Sequence, residues 1–270
     1  MTVAASARVA EQLPDDVLFR IDHVTKRFLL PRTQLFGPRR VLTALRDVTA
    51  DVRRQETLGI VGESGSGKTT LMKLLLRLER PDEGRIVYAG QSLRREVGVV
   101  FQDPASALDP RMRVEDIIVE PLRVLRVGGD RGARVRELLD AVGLPADAAR
   151  GYPHEFSGGQ RQRIAIARAL APHPRVLIGD EPVSALDVSV RAQILNLLED
   201  LRAGFQLTLI LVSHDLSVVR HICDRVLVMR NGEVVEQGAT RALFAAPQHA
   251  YTRLLLRSIP RLRYRPAASR

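Results

Sequence analysis

Short, continuously apolar runs recur along the chain, and helical patterns lie between them. Three of these runs, at residues 57–61, 175–179 and 207–212, predict strands that are buried on both faces of a parallel sheet. Apolar residues at helical spacing between 190 and 201 predict a helix before the third strand, and a second helical run covers Leu71 to Leu78. Since strand and helix alternate, the pattern predicts an α/β fold.

Strand patterns also occur near both ends of the chain. Apolar residues partly alternate with polar ones from Val17 to Ile21 and from Val41 to Val52, which predicts two early strands. Near the other end, the apolar runs 226–229 and 234–235 flank Asn231-Gly232. That dipeptide favours a two-residue turn of type I′, so a β-hairpin is predicted there.

The middle of the chain, about residues 103–160, has a different character. Strand patterns become rare, and helical patterns such as Arg134 to Val142 are separated by Pro and Gly. We interpret this stretch as a helical lobe inserted into the α/β domain. Residues 1–16 carry acidic side chains and no sustained apolar run, so they do not resemble a signal peptide and are expected to form a short flexible leader.

Composition narrows the possible classes of protein. The chain has 270 residues, 45% of them hydrophobic, but its apolar runs are far shorter than the roughly 18 residues that span a bilayer. It is therefore expected to be soluble, or bound to a membrane only through a partner. The single Cys223 excludes an internal disulfide and a Cys-based metal cluster, and it fits a reducing compartment.

A formal net charge of +10 raises the question of nucleic acid or an anionic membrane surface as a partner. The basic residues are scattered and almost all are Arg, with Lys only at 26, 68 and 73. We therefore expect no specific nucleic-acid binding. The rarity of Lys makes Lys68 informative, because its position is one where a compact ammonium serves better than a planar guanidinium.

A glycine-rich turn joins the first buried strand to the helix that follows. It fits the phosphate-loop pattern G-x-x-x-x-G-K-[ST] and reads Gly62-Glu63-Ser64-Gly65-Ser66-Gly67-Lys68-Thr69, followed by Thr70. Glycines allow backbone N–H groups to turn toward a phosphate, and the helix N-terminus adds its positive dipole end. Lys68 is predicted to bridge the β- and γ-phosphates of ATP, and the Thr69 hydroxyl to ligate Mg²⁺.

Two adjacent carboxylates, Asp180 and Glu181, follow the second buried strand. Ligands of open α/β sheets bind at this end of the strands. Asp180 is predicted to hold Mg²⁺, and Glu181 to polarise the attacking water. Since successive side chains of a strand point to opposite faces, the strand must end or twist at 180 for both to reach one nucleotide, and Pro182 provides that end.

A run of small and polar residues, Ser157-Gly158-Gly159-Gln160, opens a helical pattern that continues to Ala171, with Ser157 as the predicted N-cap. This stretch resembles the signature sequence of ABC ATPases. The resemblance implies that these four residues contact the γ-phosphate of the ATP held by an opposing subunit, and not the nucleotide of their own subunit.

Other elements of that family follow in the expected order. Gln102 resembles the Q-loop glutamine, which senses Mg²⁺ and the γ-phosphate, and residues 184–187 resemble the D-loop, which communicates across the dimer. His214 is similar to the family histidine that contacts the γ-phosphate. The resemblance makes Glu181, His214, Gln102 and Lys68 the expected catalytic set.

The resemblance covers most of the chain, from about Val17 to Pro260, and is strongest to the oligopeptide, dipeptide and nickel importer branch. The stretches that carry it lie at residues 101–104, 109–112, 152–157, 180–187 and 249–253. A long loop between Phe28 and Val41 is typical of the same branch. Phe28 occupies the place of the aromatic side chain that stacks on adenine, with Phe36 as the alternative.

The resemblance implies a P-loop NTPase core of the RecA-like type, with an N-terminal antiparallel β subdomain and an inserted α-helical signature subdomain. The ATPase domain is expected to cover residues 17–260, followed by a short basic tail at 261–270. Members of the branch usually carry a Cys-rich tail that can hold an iron–sulfur cluster, and because no Cys follows Cys223, no cluster is expected. The segment between Arg85 and Gln102 is also shorter than in the branch, which leaves the geometry of a hairpin there open.

The function that the resemblance implies is ATP hydrolysis that powers import of oligo- or dipeptides. The expected partners are a second ATPase subunit, two membrane permease subunits and an extracytoplasmic solute-binding protein, at the cytoplasmic face of the bacterial inner membrane. Nickel, nickel chelates and opine-like solutes are alternative cargoes.

Two rival classes are a non-transport ABC ATPase acting on nucleic acid and a P-loop kinase. An ATPase of the first class usually carries two ATPase modules, a coiled-coil insertion or zinc cysteines, and this sequence indicates none of them. In a P-loop kinase, the signature helix, Gln102 and His214 would have no role. Both rival classes are therefore disfavoured.

Overall fold

The computed structural model describes residues 13–30 and 40–258. These residues form two β-sheets with helices packed around them. The strands are β1 (Val17–Leu29), β2 (Val41–Arg53), β3 (Thr57–Val61), β4 (Glu83–Tyr88), β5 (Val97–Val100), β6 (Val176–Asp180), β7 (Thr208–Ser213), β8 (Arg225–Arg230) and β9 (Glu233–Ala239). The helices are α1 (Lys68–Leu75), α2 (Leu93–Glu96), α3 (Pro104–Ala107), α4 (Val114–Val124), α5 (Arg131–Ala141), α6 (Gly158–Leu170), α7 (Val188–Phe205), α8 (Leu216–Ile222), α9 (Thr240–Ala245) and α10 (Ala250–Arg257), with 3-10 turns at Ala146–Arg150 and Pro153–Glu155.

The larger sheet has the strand order β5-β6-β7-β3-β8-β9. Its first five strands run parallel, and β9 pairs antiparallel with β8. The predicted α/β fold with a parallel sheet is therefore confirmed, and the three predicted buried strands are β3, β6 and β7. Because β3 lies between β7 and β8, the glycine-rich loop after it opens near the middle of the sheet edge.

Alternate residues of the central strands enter two separate apolar cores. In β7, Leu209 and Leu211 belong to the core that contains α4 to α8, whereas Ile210 and Val212 belong to the core that contains α1 and the smaller sheet. Both faces of the larger sheet are thus covered. Coverage on both faces explains why these strands are continuously apolar in the sequence.

The smaller sheet is antiparallel with the order β2-β1-β4, as expected for the N-terminal β subdomain. β1 continues to Leu29, eight residues beyond the predicted end at Ile21. Its pairing with β2 shifts register on both sides of Val24, and His23 has a left-handed φ of 50°. These irregularities break the alternation of apolar and polar residues, so the pattern alone could not show the full strand.

Residues 103–160 contain α3, α4, α5 and both 3-10 turns, and α6 begins within them at Gly158. Ile117, Leu138 and Ile164, one from each of α4, α5 and α6, are fully buried in the same core. A helical lobe thus occupies the predicted stretch, while its extent as a separate subdomain stays a prediction. Most of the leader, Phe36 and the tail at 261–270 lie outside the described residues.

Two local predictions need correction or refinement. α1 spans Lys68–Leu75 and not Leu71 to Leu78, because its first turn carries polar residues and Arg77, with φ 55°, leaves the helical region. Between Arg85 and Gln102, β4 ends and β5 begins in a different sheet, so no hairpin joins them.

The hairpin predicted near the C-terminal end is confirmed. Asn231 and Gly232 have φ values of 50° and 84°, the positive values that a type I′ turn requires. A side chain at position 232 is also excluded by space, since its Cβ would lie 2.7 Å from the Ala44 carbonyl oxygen. Within residues 13–30 and 40–258, no helix combines the length and the apolar character needed to cross a bilayer.

Candidate functional site

The loops after β3, β5, β6 and β7 meet at one edge of the larger sheet, as expected for the carboxyl ends of parallel strands. They surround a cleft of about 920 Å³. The cleft is lined by Phe28, Leu42, Thr43, Ala44, Gly62, Glu63, Ser64, Gly65, Gly67, Lys68, Thr69, Thr70, Gln102, Glu181, His214, Leu255 and Ser258. Most of the residues predicted for one nucleotide site are therefore brought together.

The glycine-rich loop wraps around the N-terminus of α1. Gly67, the N-cap of α1, has a φ of 106°, and a Cβ there would lie 2.7 Å from the Ala44 carbonyl oxygen, so only glycine fits. Gly65 instead borders open space, with no atom within 4 Å of a Cβ position. The turn of the β8–β9 hairpin supports the loop from below, since Gly232 N donates to Ser66 O at 3.0 Å.

Lys68 is buried within this loop. Its Nζ donates to the carbonyl oxygens of Gly62 and Glu63, each at 2.8 Å. Burial lowers the pKa of the Lys68 ammonium, and the nearby carboxylates of Glu181 and Asp180 oppose that shift. The lysine is thus held at the bottom of the cleft by two backbone oxygens.

The two adjacent carboxylates separate at the end of β6. The strand ends at Asp180, and Glu181 adopts a left-handed φ of 50°, with its N–H donating to Val212 O of β7 at 2.8 Å. This change of direction is the break that the sequence required of two neighbouring carboxylates. Glu181 consequently lines the cleft, where its Oε1 lies 2.7 Å from His214 Nδ1.

Asp180 is half-buried beside the wall and does not line the cleft itself. Burial raises the pKa of its carboxyl, the negative charge of Glu181 raises it further, and Lys68 and Lys73 oppose the shift. Ser66 is also absent from the wall. Its buried hydroxyl has no hydrogen-bond partner within the described part of the chain.

The signature-like residues lie outside this cleft. Ser157 is the N-cap of α6, as predicted: its Oγ accepts from Gln160 N at 3.3 Å, and Gln160 Oε1 accepts from Ser157 N at 2.9 Å. Such a reciprocal pair is a capping box. Gly159 lies against α7, because a Cβ there would come within 2.5 Å of Val190 Cγ1.

Several residues at the cleft were not predicted from the sequence. Leu42, Thr43 and Ala44 come from the start of β2, and Leu255 and Ser258 come from α10 and its end. The alternating pattern of β2 gives no hint of a ligand. The only signal for α10 was the stretch 249–253, which overlaps its first residues.

Comparison with protein families now decides the class. The model of the ABC transporter family matches residues 45–184, which is more than half of the chain. The chain belongs to the ABC transporter family. A second model, the C-terminal region of oligopeptide/dipeptide transporters, matches residues 235–268 and supports the predicted branch.

Curated relatives within the ABC transporter family are similar along most of this chain. The glutathione import ATP-binding protein GsiA of Escherichia coli K12 is 49% identical over 256 residues, which are 90% of this chain and 41% of GsiA. The oligopeptide transport ATP-binding protein OppD of Mycobacterium tuberculosis H37Rv is 48% identical over 273 residues, covering 96% of this chain and 44% of OppD. The chain thus spans about two fifths of the length of these relatives.

Solved structures of ABC proteins share the fold. CbiO1 from Clostridium perfringens, part of the ABC transporter complex cbiONQ, superposes with a TM-score of 0.73 at 28% identity, over 86% of this chain and 92% of CbiO1. The dimeric MJ0796 cassette in a post-hydrolysis state with ADP and Pi gives a TM-score of 0.71 at 29% identity, over 83% of this chain and 99% of MJ0796. The P-loop NTPase core expected from the sequence is therefore confirmed.

Proposed function

We propose that this chain is the ATP-hydrolysing subunit of an importer for oligo- or dipeptides. The observation that carries the proposal is the cleft in which Lys68, Gln102, Glu181 and His214 come together at the ends of four loops. The relatives are named as import and transport ATP-binding proteins, and both named cargoes are peptides. These names favour peptides over nickel, nickel chelates or opine-like solutes as the cargo.

The chemistry of the loop supports the binding of ATP phosphates. The open space at Gly65 and the amides at the start of α1 form a cradle for phosphate oxygens. The proposed contacts of the chain's own nucleotide are Gly62 to Thr70, with Lys68 on the β- and γ-phosphates. Phe28 lines the same cleft and is the proposed partner of the adenine ring.

Mg²⁺ is the proposed cofactor. Of its three proposed ligands, Thr69 and Gln102 line the cleft and Asp180 does not. Residues 13–30 and 40–258 contain no group of three or more His, Cys, Asp or Glu that could hold a metal. Mg²⁺ usually keeps several waters and binds through one or two carboxylates plus substrate phosphates, so such a cluster is not required. Thr69, Gln102 and Asp180 are the proposed ligands, directly or through water. When bound, Mg²⁺ neutralises charge on the phosphates. No iron–sulfur cluster is proposed.

Glu181 is the proposed general base for hydrolysis. Its carboxylate faces the cleft and can accept a proton from a water that attacks the γ-phosphate. His214, in contact with the same carboxylate, orients it and is placed to donate toward the γ-phosphate. Lys68 opposes the negative charge that develops during the transfer.

A second ATPase subunit completes the proposed site. Ser157, Gly158, Gly159 and Gln160 do not line the cleft of their own chain, so we assign their exposed helix start to the γ-phosphate of a partner's ATP. The dimeric state of the MJ0796 cassette supports this arrangement. The partner is either a second copy or a homologous ATPase.

Two permease subunits and an extracytoplasmic solute-binding protein complete the proposed importer, with this chain at the cytoplasmic face of the bacterial inner membrane. No nucleic-acid role is proposed, because family membership and the named relatives all concern transport. Purification from detergent-solubilised membrane tests the assembly. Recovery of permease subunits is expected, and salt-sensitive nucleic acid without permease would contradict the transport role.

The dimer is tested with a variant that binds ATP but does not hydrolyse it. Glu181→Gln with ATP and Mg²⁺, together with its partner ATPase if the chain does not pair with itself, is expected to elute at about twice the 30.0 kDa of one chain. The added Gly158→Asp substitution should abolish this dimer by placing a negative charge against the partner's phosphates. Position 158 has room for it, since the nearest atom to a Cβ there is Leu186 Cδ2 at 3.7 Å. A Glu181→Gln sample that stays monomeric under these conditions would refute the shared site.

A further inference from the structure

The C-terminal helix α10 forms part of the wall of the nucleotide cleft. Leu255 lies on α10 and Ser258 directly follows its last residue, Arg257, and both side chains line the cleft with the glycine-rich loop. Tyr251, in the first turn of the same helix, is 3% exposed. Its hydroxyl oxygen accepts a hydrogen bond from Glu63 N at 3.1 Å, across 188 residues of sequence. The helix is therefore bonded to the loop that the proposed function assigns to phosphate.

The Glu63 amide shares its peptide plane with the Gly62 carbonyl. A trans peptide points its N–H and C=O in opposite directions. The N–H points to Tyr251, and the Gly62 oxygen on the other side accepts from Lys68 Nζ at 2.8 Å. The Tyr251 hydroxyl thus fixes the orientation of one of the two peptides whose carbonyl oxygens position the lysine.

The tyrosine is itself held in place from several sides. His249 Nδ1 accepts from Tyr251 N at 3.2 Å and caps the helix. The Glu236 carboxylate of β9 accepts from Gln248 N at 2.8 Å and from His249 N at 3.0 Å. The Arg230 guanidinium lies 4.8 Å from the centre of the Tyr251 ring, in the range of a cation–π contact. These contacts hold Tyr251 in place, so that its hydroxyl stays within hydrogen-bond distance of Glu63 N.

The phenol also stays neutral at physiological pH. Burial raises the pKa of Tyr251 above its ordinary value, while its hydrogen bond with the Glu63 backbone opposes the shift. A neutral hydroxyl keeps its proton and still has lone pairs for the Glu63 N–H. The contact therefore does not depend on ionisation of the phenol near neutral pH.

We infer that Tyr251 is a positioning residue of the nucleotide site, which holds the Gly62–Glu63 peptide so that the phosphate loop and Lys68 are preorganised for ATP. This inference rests on the proposed function and adds the C-terminal helix to the site. Without the hydroxyl, the Gly62–Glu63 peptide loses the hydrogen bond on its N–H side and keeps the one from Lys68 on its carbonyl side, so it rotates more easily. Binding of ATP then has to order the loop, which weakens affinity.

The test compares Tyr251→Phe with Tyr88→Phe. Both substitutions remove one tyrosine hydroxyl and keep the ring, but Tyr88 bonds to Glu96 Oε2 at 2.9 Å, away from the cleft. Tyr251→Phe is expected to raise the Kd of ATP about 3- to 10-fold, the range of one neutral hydrogen bond, and to leave kcat at saturating ATP within about 2-fold. Tyr88→Phe should leave the Kd of ATP unchanged.

Hydrogen exchange without nucleotide provides a second measurement. Tyr251→Phe is expected to speed amide exchange in residues 62–67 and to leave α5 as in the wild type. A wild-type Kd together with wild-type exchange in Tyr251→Phe would overturn the inference. So would equal losses in both tyrosine variants, since they would report general destabilisation. Failure of the wild-type chain to bind ATP would instead refute the proposed function, and the exchange comparison would still decide the role of Tyr251.

Discussion

His214 Nδ1 lies 2.7 Å from Glu181 Oε1, so the side chains that follow β7 and β6 are in direct contact. The two strands are neighbours in the larger sheet, with Asp180 paired to Val212. A backbone hydrogen bond from Glu181 N to Val212 O at 2.8 Å fixes the same junction. The proposed base is thus held by its main chain and its side chain to one neighbouring strand.

Loss of the histidine should therefore disturb the base more than it disturbs nucleotide binding. His214→Ala is expected to lower kcat for ATP hydrolysis about 10²- to 10³-fold, within the range of general acid–base catalysis, and to change the Kd of ATP less than about 3-fold. Steady-state ATPase assays and nucleotide titration measure the two quantities. His221→Ala, an exposed histidine of α8 that lies away from the cleft, serves as the control. A wild-type kcat for His214→Ala would exclude the proposed contribution of His214.

Asp180 should destabilise the nucleotide-free chain at neutral pH. Because burial raises the pKa of this carboxyl above its ordinary value of 3.8, the folded state binds the proton more tightly than the unfolded state. The free energy of unfolding then falls as pH rises from 3.8 through the raised pKa. Asp180→Asn is consequently expected to raise Tm at about pH 7, by about 2–4 °C for each kcal/mol gained.

Thermal denaturation at a series of pH values checks this expectation. The difference in Tm between Asp180→Asn and the wild type should shrink as pH falls through the raised pKa of Asp180 toward the ordinary value of 3.8, because the aspartate then becomes protonated. Asp200→Asn, at an exposed position of α7, should show no such trend. A lower Tm for Asp180→Asn at neutral pH would contradict the assigned direction. The same variant should lose Mg²⁺-dependent ATPase activity.

The two signature glycines should differ in what they tolerate. A Cβ at Gly159 would lie 2.5 Å from Val190 Cγ1, whereas the nearest atom at Gly158 is 3.7 Å away. Gly159→Ala should therefore force α6 and α7 apart and reduce stability by about 1–3 kcal/mol, as overpacking does. Gly158→Ala should change stability little. Chemical denaturation of both variants measures the difference, and equal midpoints would show that the helices adjust freely.

Arg191 joins the loop after β6 to the loop after β7. Its guanidinium donates to Asp215 Oδ2 at 2.7 Å and to Leu186 O at 3.4 Å. Arg191→Ala should loosen both loops and lower kcat about 10- to 100-fold with a smaller effect on the Kd of ATP, the cost of about one charged hydrogen bond. Arg123→Ala, which removes an exposed ion pair with Asp116, is the matched control in the ATPase assay. Equal effects of both substitutions would leave Arg191 without a specific role.

Predictions from the sequence were most accurate where a single physical requirement determines the local pattern of residues. β3 and the hairpin turn at Asn231-Gly232 were predicted correctly, because burial on both faces and positive φ angles each leave a clear trace. The predicted start of α1 was three residues late. Its first turn faces the cleft with polar side chains, so the apolar periodicity begins only after Thr70.

Long-range contacts account for what the sequence could not show. Most predicted cleft residues were brought together, because the ends of parallel strands meet at one edge whatever their distance in sequence. Nothing in the patterns linked Tyr251 to Glu63, since this contact depends on how α10 packs after the sheet is complete. The shifts of register in β1 likewise concern its pairing with β2, which the residue pattern of β1 alone does not show.

Lys68 Nζ already donates hydrogen bonds to two backbone carbonyl oxygens. A phosphate that binds in the cleft, as proposed, would therefore compete with these carbonyl oxygens for the ammonium. The measured affinity is then a difference between the contacts of the ammonium with phosphate oxygens and its contacts with the two carbonyl oxygens that they replace. Such a site can be charged and selective and still release phosphate after hydrolysis. The Lys68 ammonium then returns to the carbonyl oxygens of Gly62 and Glu63.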